Sequence, residues 1–143
     1  MSQKLPLDEF LKTFEKVPRV AISLLIIDQD RRVLLTKRSI NPGKNTWHLP
    51  GSFILKGERV KDCIARILKV ELGFEGSFRF RVENVFEDLE KDPRGHIIDM
   101  IYRVEGDIIP HVTDETEEVV YFSIMPDNIG FNHREVLQVL GYK

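Results

Sequence analysis

The chain has 143 residues, of which 42% are hydrophobic, and its formal net charge is -2. This length and composition predict one globular domain, residues 1–143, whereas the interspersed charges offer no basic surface for nucleic acid. The single cysteine, Cys63, excludes an intrachain disulfide, and without a secretory signal or an apolar run of about 18 residues we expect a cytoplasmic protein that does not bind membranes.

The first predicted element is a short amphipathic helix within residues 1–17, which follows Pro6 and ends before Pro18. Its apolar side chains recur at the spacing of a helix face and are Leu7, Phe10, Leu11 and Phe14. Because so short a helix is marginal alone, we expect this face to be covered, either by its own subunit or by a second copy of the chain.

Strands and two further helices follow. Alternating apolar residues predict strands at 20–27, 32–37, 78–86, 96–105 and 119–124. Residues 58–72 lack proline and glycine and predict a long helix that Gly73 ends, while Asn132 and Glu135 have the spacing of a capping box at the start of a last helix. Strands on both sides of helices predict an α/β fold, a mixed sheet between helices.

One carboxylate stands out on the long predicted helix. Glu71 ends an apolar, core-facing stripe whose other members are Val60, Ile64, Ile67 and Leu68. Burying an unpaired charge costs several kcal/mol, so this carboxylate needs a cation or hydrogen-bond donors. From periodicity alone, Glu71 is either a ligand of a cation or a glutamate that solvent or an arginine satisfies.

Residues 51–74 resemble a degenerate Nudix box, a loop-helix-loop motif. The matching positions are Glu58, Arg66, Leu68, Glu71, Gly73 and Phe74. The segment departs from the box at Ser52, where a glycine is expected, and at Ile67 and Val70, where glutamates are expected. The resemblance implies the Nudix α/β/α sandwich and a Mg2+-dependent hydrolase that acts on a nucleoside diphosphate derivative.

Residues outside the box resemble one branch of this family, the GDP-mannose mannosyl hydrolases. The shared features are Lys37, Arg38, Asn41, Pro42, Trp47, Pro50, Gly51 and the retention of Glu71 without its neighbouring glutamates. This resemblance implies that water attacks the anomeric carbon of a nucleoside diphosphate sugar, and that the protein is a homodimer in which residues 1–17 take part. Phe53 and Ser23 stand where that branch has an arginine and an aspartate.

The branch resemblance also implies a magnesium site. It assigns the metal to Glu71, to the Gly51 carbonyl and to a third ligand from the acidic loop 113–118. Glu115, Glu117 and Glu118 are the candidates for this third position, with water as the alternative, and we choose Glu115. In the branch a Gln-His pair occupies the positions of Thr116 and Glu117, and the histidine is the general base. We therefore predict Glu117 as the base, with Glu115 and Glu118 as alternatives, because a carboxylate can also accept a proton from water.

Basic and aromatic residues complete the predicted site. Arg38 is expected to bind the pyrophosphate through its guanidinium, and Arg66 to orient the carboxylates and the loop. Trp47 is predicted to stack on the base or sugar, and His96 to contact the ligand.

Two other functions stay open. The chain could be a Nudix pyrophosphohydrolase that cleaves a P-O-P bond, or a nucleotide-binding domain with decayed catalysis. Loss of the glutamates at Ile67 and Val70 favours attack at carbon, whereas the retained Glu58, Arg66 and Glu71 favour hydrolysis over decay.

Overall fold

The computed structural model describes residues 3–143; residues 1 and 2, the start of the predicted segment 1–17, lie outside the described part. The helices are α1 Leu7–Thr13, α2 Val60–Leu72 and α3 His133–Val139. The strands are β1 Arg19–Leu25, β2 Val33–Arg38, β3 Trp47–His48, β4 Gly51–Phe53, β5 Arg79–Asp88, β6 Ile97–Glu105 and β7 Thr116–Phe122. None of the helices within residues 3–143 has both the length and the apolar character needed to cross a membrane.

The strands form two sheets with different pairing. The first has the order β4-β1-β6-β5, in which β1 runs parallel to β6 and antiparallel to β4. The second has the order β3-β2-β7 and is antiparallel throughout. Parallel and antiparallel neighbours therefore meet at β1. The predicted mixed sheet is confirmed in the first sheet, and the second sheet lies beside it as a separate antiparallel one.

The core lies on both faces of β1, because successive side chains of a strand point to opposite faces. Ile22 and Leu24 pack in one cluster with residues of α2, whereas Leu25 packs in a second cluster with Val136 and Leu137 of α3. The sheets thus lie between α2 and α3. The predicted α/β/α sandwich is confirmed.

The ends of several elements differ from the sequence prediction. Helix α2 begins at Val60, so Glu58 lies in the preceding loop rather than in the helix. Asn132 precedes α3, but its side chain makes no capping hydrogen bond, and Glu135 pairs with Lys91 instead. The short strands β3 and β4 were not predicted, because two or three residues carry too little periodicity to indicate a strand.

Helix α1 packs on its own chain through aromatic side chains. The rings of Phe10, Phe14 and Phe53 contact one another edge to face, with centroids 5.3–5.5 Å apart. The Arg19 guanidinium lies 5.1 Å from the Phe10 centroid. No residue of α1 is buried, and Leu7 is 72% exposed, so this packing covers only part of the predicted apolar face.

Candidate active site

A cleft of about 850 Å³ lies beside β4 and the end of α2. Helix α1 contributes apolar side chains to it, including Leu7 and Leu11. Charged side chains also line it and include Arg38, Glu71, Asp92, Arg94 and Glu115. The cleft therefore combines an apolar wall with a strongly polar surface, as expected for a site that takes a ligand with both kinds of group.

Glu71 reaches this cleft from α2 and is held by the backbone of β4. The Gly51 N-H donates a 2.6 Å hydrogen bond to Glu71 Oε2. Gly51 lies so close to β1 that a Cβ atom there would be 2.8 Å from the Ile22 carbonyl oxygen, so no larger residue fits without movement. The prediction that Glu71 lies on a buried stripe is confirmed, since the residue is 8% exposed.

Burial raises the pKa of Glu71 to about 8, even though the Gly51 hydrogen bond and the charge of Arg38 lower it. Removal from water disfavours the charged carboxylate, and an adjacent cation would favour the charged form again and lower the pKa. A divalent metal bound here would supply that charge.

Stability is expected to depend on pH through Glu71 when no divalent metal is present. The folded-state pKa of about 8 exceeds the ordinary 4.5, so the native state holds the proton more tightly than the unfolded state. The stabilisation is full below the unfolded pKa and is lost as pH rises through the folded pKa, at a rate of up to about 1.4 kcal/mol for each pH unit between the two. Urea unfolding from about pH 5 to pH 9 should show this fall in the parent and a flatter profile in Glu71→Gln. Equal pH profiles of stability in the parent and in Glu71→Gln would contradict the raised pKa of Glu71.

Arg66 connects α2 to the loop before it and to β4. Its Nε and Nη2 donate to the two oxygens of Glu58, each at 2.9 Å. Nη1 donates to Ser52 Oγ at 3.0 Å and Nη2 to the Phe53 carbonyl at 2.9 Å. Glu58 also accepts from the Leu55 N-H, and the Arg66 hydrogen bonds lower the pKa of Glu58. Arg66 therefore shapes the strand that carries Gly51 and does not itself line the cleft.

Replacing Arg66 by alanine should lower the free energy of unfolding by about 3 kcal/mol, because it leaves Glu58, whose side chain is 7% exposed, without its partner. Arg66→Lys is the matched control, since it keeps the charge but loses the planar fork. We expect an intermediate loss in that variant, measured by urea unfolding. A lysine variant as stable as the parent would show that charge alone suffices.

Two arginines flank one aromatic ring at the cleft. The guanidinium carbons of Arg38 and Arg94 each lie 5.6 Å from the Phe131 centroid. Arg94 is neutralised by a bidentate pair with Asp92, at 3.0 and 2.7 Å. The Arg38 guanidinium, in contrast, donates only to the Ile40 carbonyl, at 3.3 Å, among the residues described. Burial, and then Arg94, lower the pKa of Arg38, so an anion bound beside it would be favoured.

Phe131 adopts a left-handed backbone conformation, with φ of +53°. This region is unfavourable for a bulky residue, and such strain is concentrated at functional sites. Close packing surrounds the ring: a Cβ atom on Gly43 would lie 3.2 Å from Phe131 Cζ and 3.4 Å from Arg38 Cδ. The strained residue thus belongs to the wall that presents Arg38.

The acidic loop brings one carboxylate to the cleft. Thr116 is buried and donates from Oγ1 to the Glu71 carbonyl at 2.8 Å, which fixes the loop on the end of α2. Glu115 lines the cleft. Glu117 is exposed and does not line it, and Glu118 pairs with Lys37 at 3.3 Å. Glu117, the residue predicted as the general base, therefore lies outside the cleft, because the inward side chain at this strand end is Thr116.

Two residues predicted to contact the substrate also lie outside the cleft. Trp47 is 8% exposed and packs edge to face against Phe122, with centroids 4.9 Å apart, in the cluster beneath α3. His96 lies before β6 and does not line the cleft either. Trp47 serves the core because β3 pairs with β2 in the second sheet, which turns the indole inward.

Four buried polar residues that the sequence prediction did not include also line the cleft, and we call them the floor cluster: Ser23, His48, Asp99 and His133. Ser23 Oγ donates to Asp99 Oδ1 at 2.8 Å, and His133 Nε2 lies 3.5 Å from Asp99 Oδ2. Asp99 had a signal in the sequence, because it is a carboxylate between the buried positions Ile97 and Ile101 of one strand. The two histidines had none, since only the fold brings them together.

The metal site predicted from sequence has few protein ligands. Among residues 3–143, no group of three His, Cys, Asp or Glu side chains is arranged to hold a metal. Glu71, Gly51 and Glu115 do line the same cleft. Magnesium is often bound by one or two carboxylates together with substrate phosphates and water, and a buried carboxylate with a raised pKa fits that arrangement.

The α/β/α sandwich thus places a buried helix glutamate against the backbone of Gly51 and in the same cleft as Arg38. The chain belongs to the Nudix family: the model described as NUDIX domain matches residues 17–139.

The chain is also similar to individual proteins of known description. It is 30% identical over 126 residues to an ADP-ribose pyrophosphatase of Methanocaldococcus jannaschii, covering 85% of this chain and 72% of that protein. It is 24% identical to the ADPR responsive transcriptional repressor NtrR of Acinetobacter baylyi, over 96% of this chain and 58% of that protein. A bifunctional NMN adenylyltransferase/ADP ribose pyrophosphatase from Francisella tularensis shares the fold, with a TM-score of 0.74, 22% identity, and coverage of 93% and 45%.

Proposed function

We propose that this protein is a Mg2+-dependent Nudix hydrolase that cleaves the P-O-P bond of ADP-ribose or a closely related nucleoside diphosphate derivative. The observation that carries the proposal is the pairing, in one cleft, of the buried carboxylate of Glu71 with the guanidinium of Arg38, which contacts no carboxylate among the described residues. The 30% identity to an ADP-ribose pyrophosphatase supports the choice of substrate.

Different residues of the cleft are assigned to metal binding, to diphosphate binding and to the exclusion of water. Glu71, the Gly51 carbonyl and Glu115 would hold magnesium, which supplies charge neutralisation on the phosphate oxygens when bound. Arg38 binds the diphosphate, and its burial strengthens that contact because little water screens it. Apolar side chains of α1 limit the access of bulk water to the ligand.

Attack at phosphorus is favoured here over attack at the sugar carbon. The carbon mechanism implied by the GDP-mannose mannosyl hydrolase resemblance needs a base on the far side of the sugar, and Glu117, chosen for that role, lies outside the cleft. Glu115, which lines the cleft together with Glu71, is the carboxylate available to orient water near the metal.

A second candidate is an ADP-ribose-binding domain without turnover. Ile67, which stands where the Nudix box has a glutamate, is 1% exposed and packed in the core, so that position supplies no ligand. The similarity to an ADPR responsive repressor agrees with binding alone.

Product analysis separates these functions. ADP-ribose and GDP-mannose are each incubated with the protein, magnesium and oxygen-labelled water. Cleavage at phosphorus yields a nucleoside monophosphate and a sugar phosphate with label on phosphate, whereas cleavage at carbon yields an unlabelled nucleoside diphosphate and free labelled sugar. Binding of ADP-ribose by calorimetry without products would identify the binding domain. Failure of ADP-ribose to bind or react would contradict the proposed substrate.

We also propose a homodimer in which α1 takes part. Leu7 is 72% exposed and Leu11 41% exposed on this helix, and such an apolar face is costly to leave in water. Sedimentation velocity at micromolar concentration should show a dimer. Leu7→Asp should shift it toward monomer, whereas His111→Asp, which places an aspartate at an exposed position outside α1, should not. A monomeric parent protein would contradict the proposal.

A further inference from the structure

His48 has a buried nitrogen that the protein leaves without a partner. The residue is 3% exposed, and its Nδ1 lies 2.8 Å from the Leu49 carbonyl oxygen. A carbonyl can only accept, so Nδ1 carries the proton and Nε2 presents a lone pair. Nε2 has no hydrogen-bond partner among the described residues, although the side chain lines the cleft. Leaving a buried polar atom unsatisfied is unfavourable, so this acceptor calls for a donor.

Protonation of the ring does not satisfy His48 Nε2 at neutral pH. Burial, together with the neighbouring His133, lowers the pKa of His48 to about 3. At neutral pH the imidazole is uncharged, and Nε2 remains an acceptor. The ring is fixed by its neighbours, since its centroid lies 5.9 Å from that of His133 and 6.1 Å from that of Phe131.

Asp99 offers a second acceptor in the floor cluster. It is 3% exposed and accepts from Ser23 Oγ at 2.8 Å. The Leu49 N-H donates to His133 Nδ1 at 3.0 Å, so the proton of that imidazole is on Nε2, which faces Asp99 Oδ2 at 3.5 Å. A carboxylate can accept about four hydrogen bonds, and Asp99 therefore keeps capacity for a ligand.

We propose that the floor cluster is a subsite for sugar hydroxyl groups, in which His48 Nε2 and Asp99 accept their hydrogen bonds. Two acceptors require a ligand that donates, and hydroxyl groups do so. A phosphate, which is anionic and offers only acceptors, is disfavoured next to Asp99 and belongs beside Arg38 instead. The inference rests on the proposed function and deepens it, because it orients the substrate with its diphosphate at Arg38 and a ribose at the floor.

The hydroxyl groups could come from either ribose of ADP-ribose, and two analogues distinguish these sources. One lacks the 2-hydroxyl of the adenosine ribose, and the other lacks the 2-hydroxyl of the terminal ribose. For the parent protein we expect about 5- to 10-fold weaker recognition of one analogue than of ADP-ribose, the worth of one hydrogen bond. The ratio is measured as kcat/KM where the ligand is hydrolysed and as Kd where it is only bound.

His48→Phe removes the acceptor and keeps an aromatic ring in place. It should recognise ADP-ribose and the discriminated analogue equally, whereas His96→Phe, which replaces a partly buried histidine outside the cleft, should leave the ratio unchanged. Asp99→Asn is a second variant that preserves shape and should also reduce the ratio. If His48→Phe does not fold, the nitrogen signal of His48 Nε2 in the parent protein should shift when ADP-ribose is added.

The outcomes separate the two proposals. If ADP-ribose binds but is not turned over, the proposed hydrolase activity is contradicted, and the subsite is then tested by the Kd values of the analogues. Absence of binding overturns both. Binding of both analogues as tightly as ADP-ribose, or an unchanged ratio in His48→Phe together with an unmoved nitrogen signal, overturns the subsite alone.

Discussion

Replacing Glu71 by glutamine is expected to reduce magnesium-dependent hydrolysis of ADP-ribose by about 100-fold or more, since a metal ion contributes several kcal/mol to transition-state stabilisation. Glutamine keeps the size of the side chain and can still accept from the Gly51 N-H. It removes the one box-helix carboxylate in the cleft, and magnesium strongly prefers charged oxygen ligands.

Two measurements make this test specific. The magnesium concentration for half-maximal rate should rise sharply in Glu71→Gln, and urea unfolding should show that the fold persists. Glu75→Gln is the matched control, because Glu75 lies just beyond the same helix and its exposed carboxylate pairs with Lys69. Unchanged magnesium affinity in Glu71→Gln, measured by calorimetry with a nucleoside diphosphate present, would show that the metal is held elsewhere.

The sequence predicts those parts of the site that local pattern encodes. Glu71 stands out because one charged residue interrupts an apolar helical stripe, and Gly73 ends that helix in the left-handed conformation expected of a glycine there, with φ of +61°. The sandwich followed from the order of strands and helices. These features depend on neighbours a few residues apart, so periodicity and capping rules apply to them.

Other parts depend on pairing between distant segments. His48, Asp99 and His133 come from β3, β6 and α3, and no spacing within the chain signals that they meet. In the acidic loop, the sequence did not predict which side chain points into the cleft. A bulge between Lys37 and Arg38 pairs Lys37 with Glu118 and Arg38 with Thr116, which leaves Glu117 unpaired between them. A shift of one residue reverses which side chains point inward, and an ungapped alignment cannot reveal it.

The cleft geometry therefore moves the proposal for the acidic loop from Glu117 to Glu115. Glu115→Gln should lower the rate of ADP-ribose hydrolysis by about 100-fold or more, which is the usual contribution of a positioned proton acceptor. Glu117→Gln is the matched control: it makes the same chemical change two residues along, outside the cleft, and should leave the rate near that of the parent. The pair of variants tests the register of the loop and the chemistry together.

The way in which Glu115→Gln loses activity identifies its role. If Glu115 is a metal ligand, the magnesium requirement rises and saturating magnesium restores much of kcat. If it accepts the proton of the attacking water, kcat stays low at every magnesium concentration and the acid limb of the kcat/KM profile disappears, because the titrating base is gone. A Glu115→Gln enzyme as active as the parent, beside a Glu117→Gln enzyme that has lost activity, would return the role to Glu117 and require the loop to move when substrate binds.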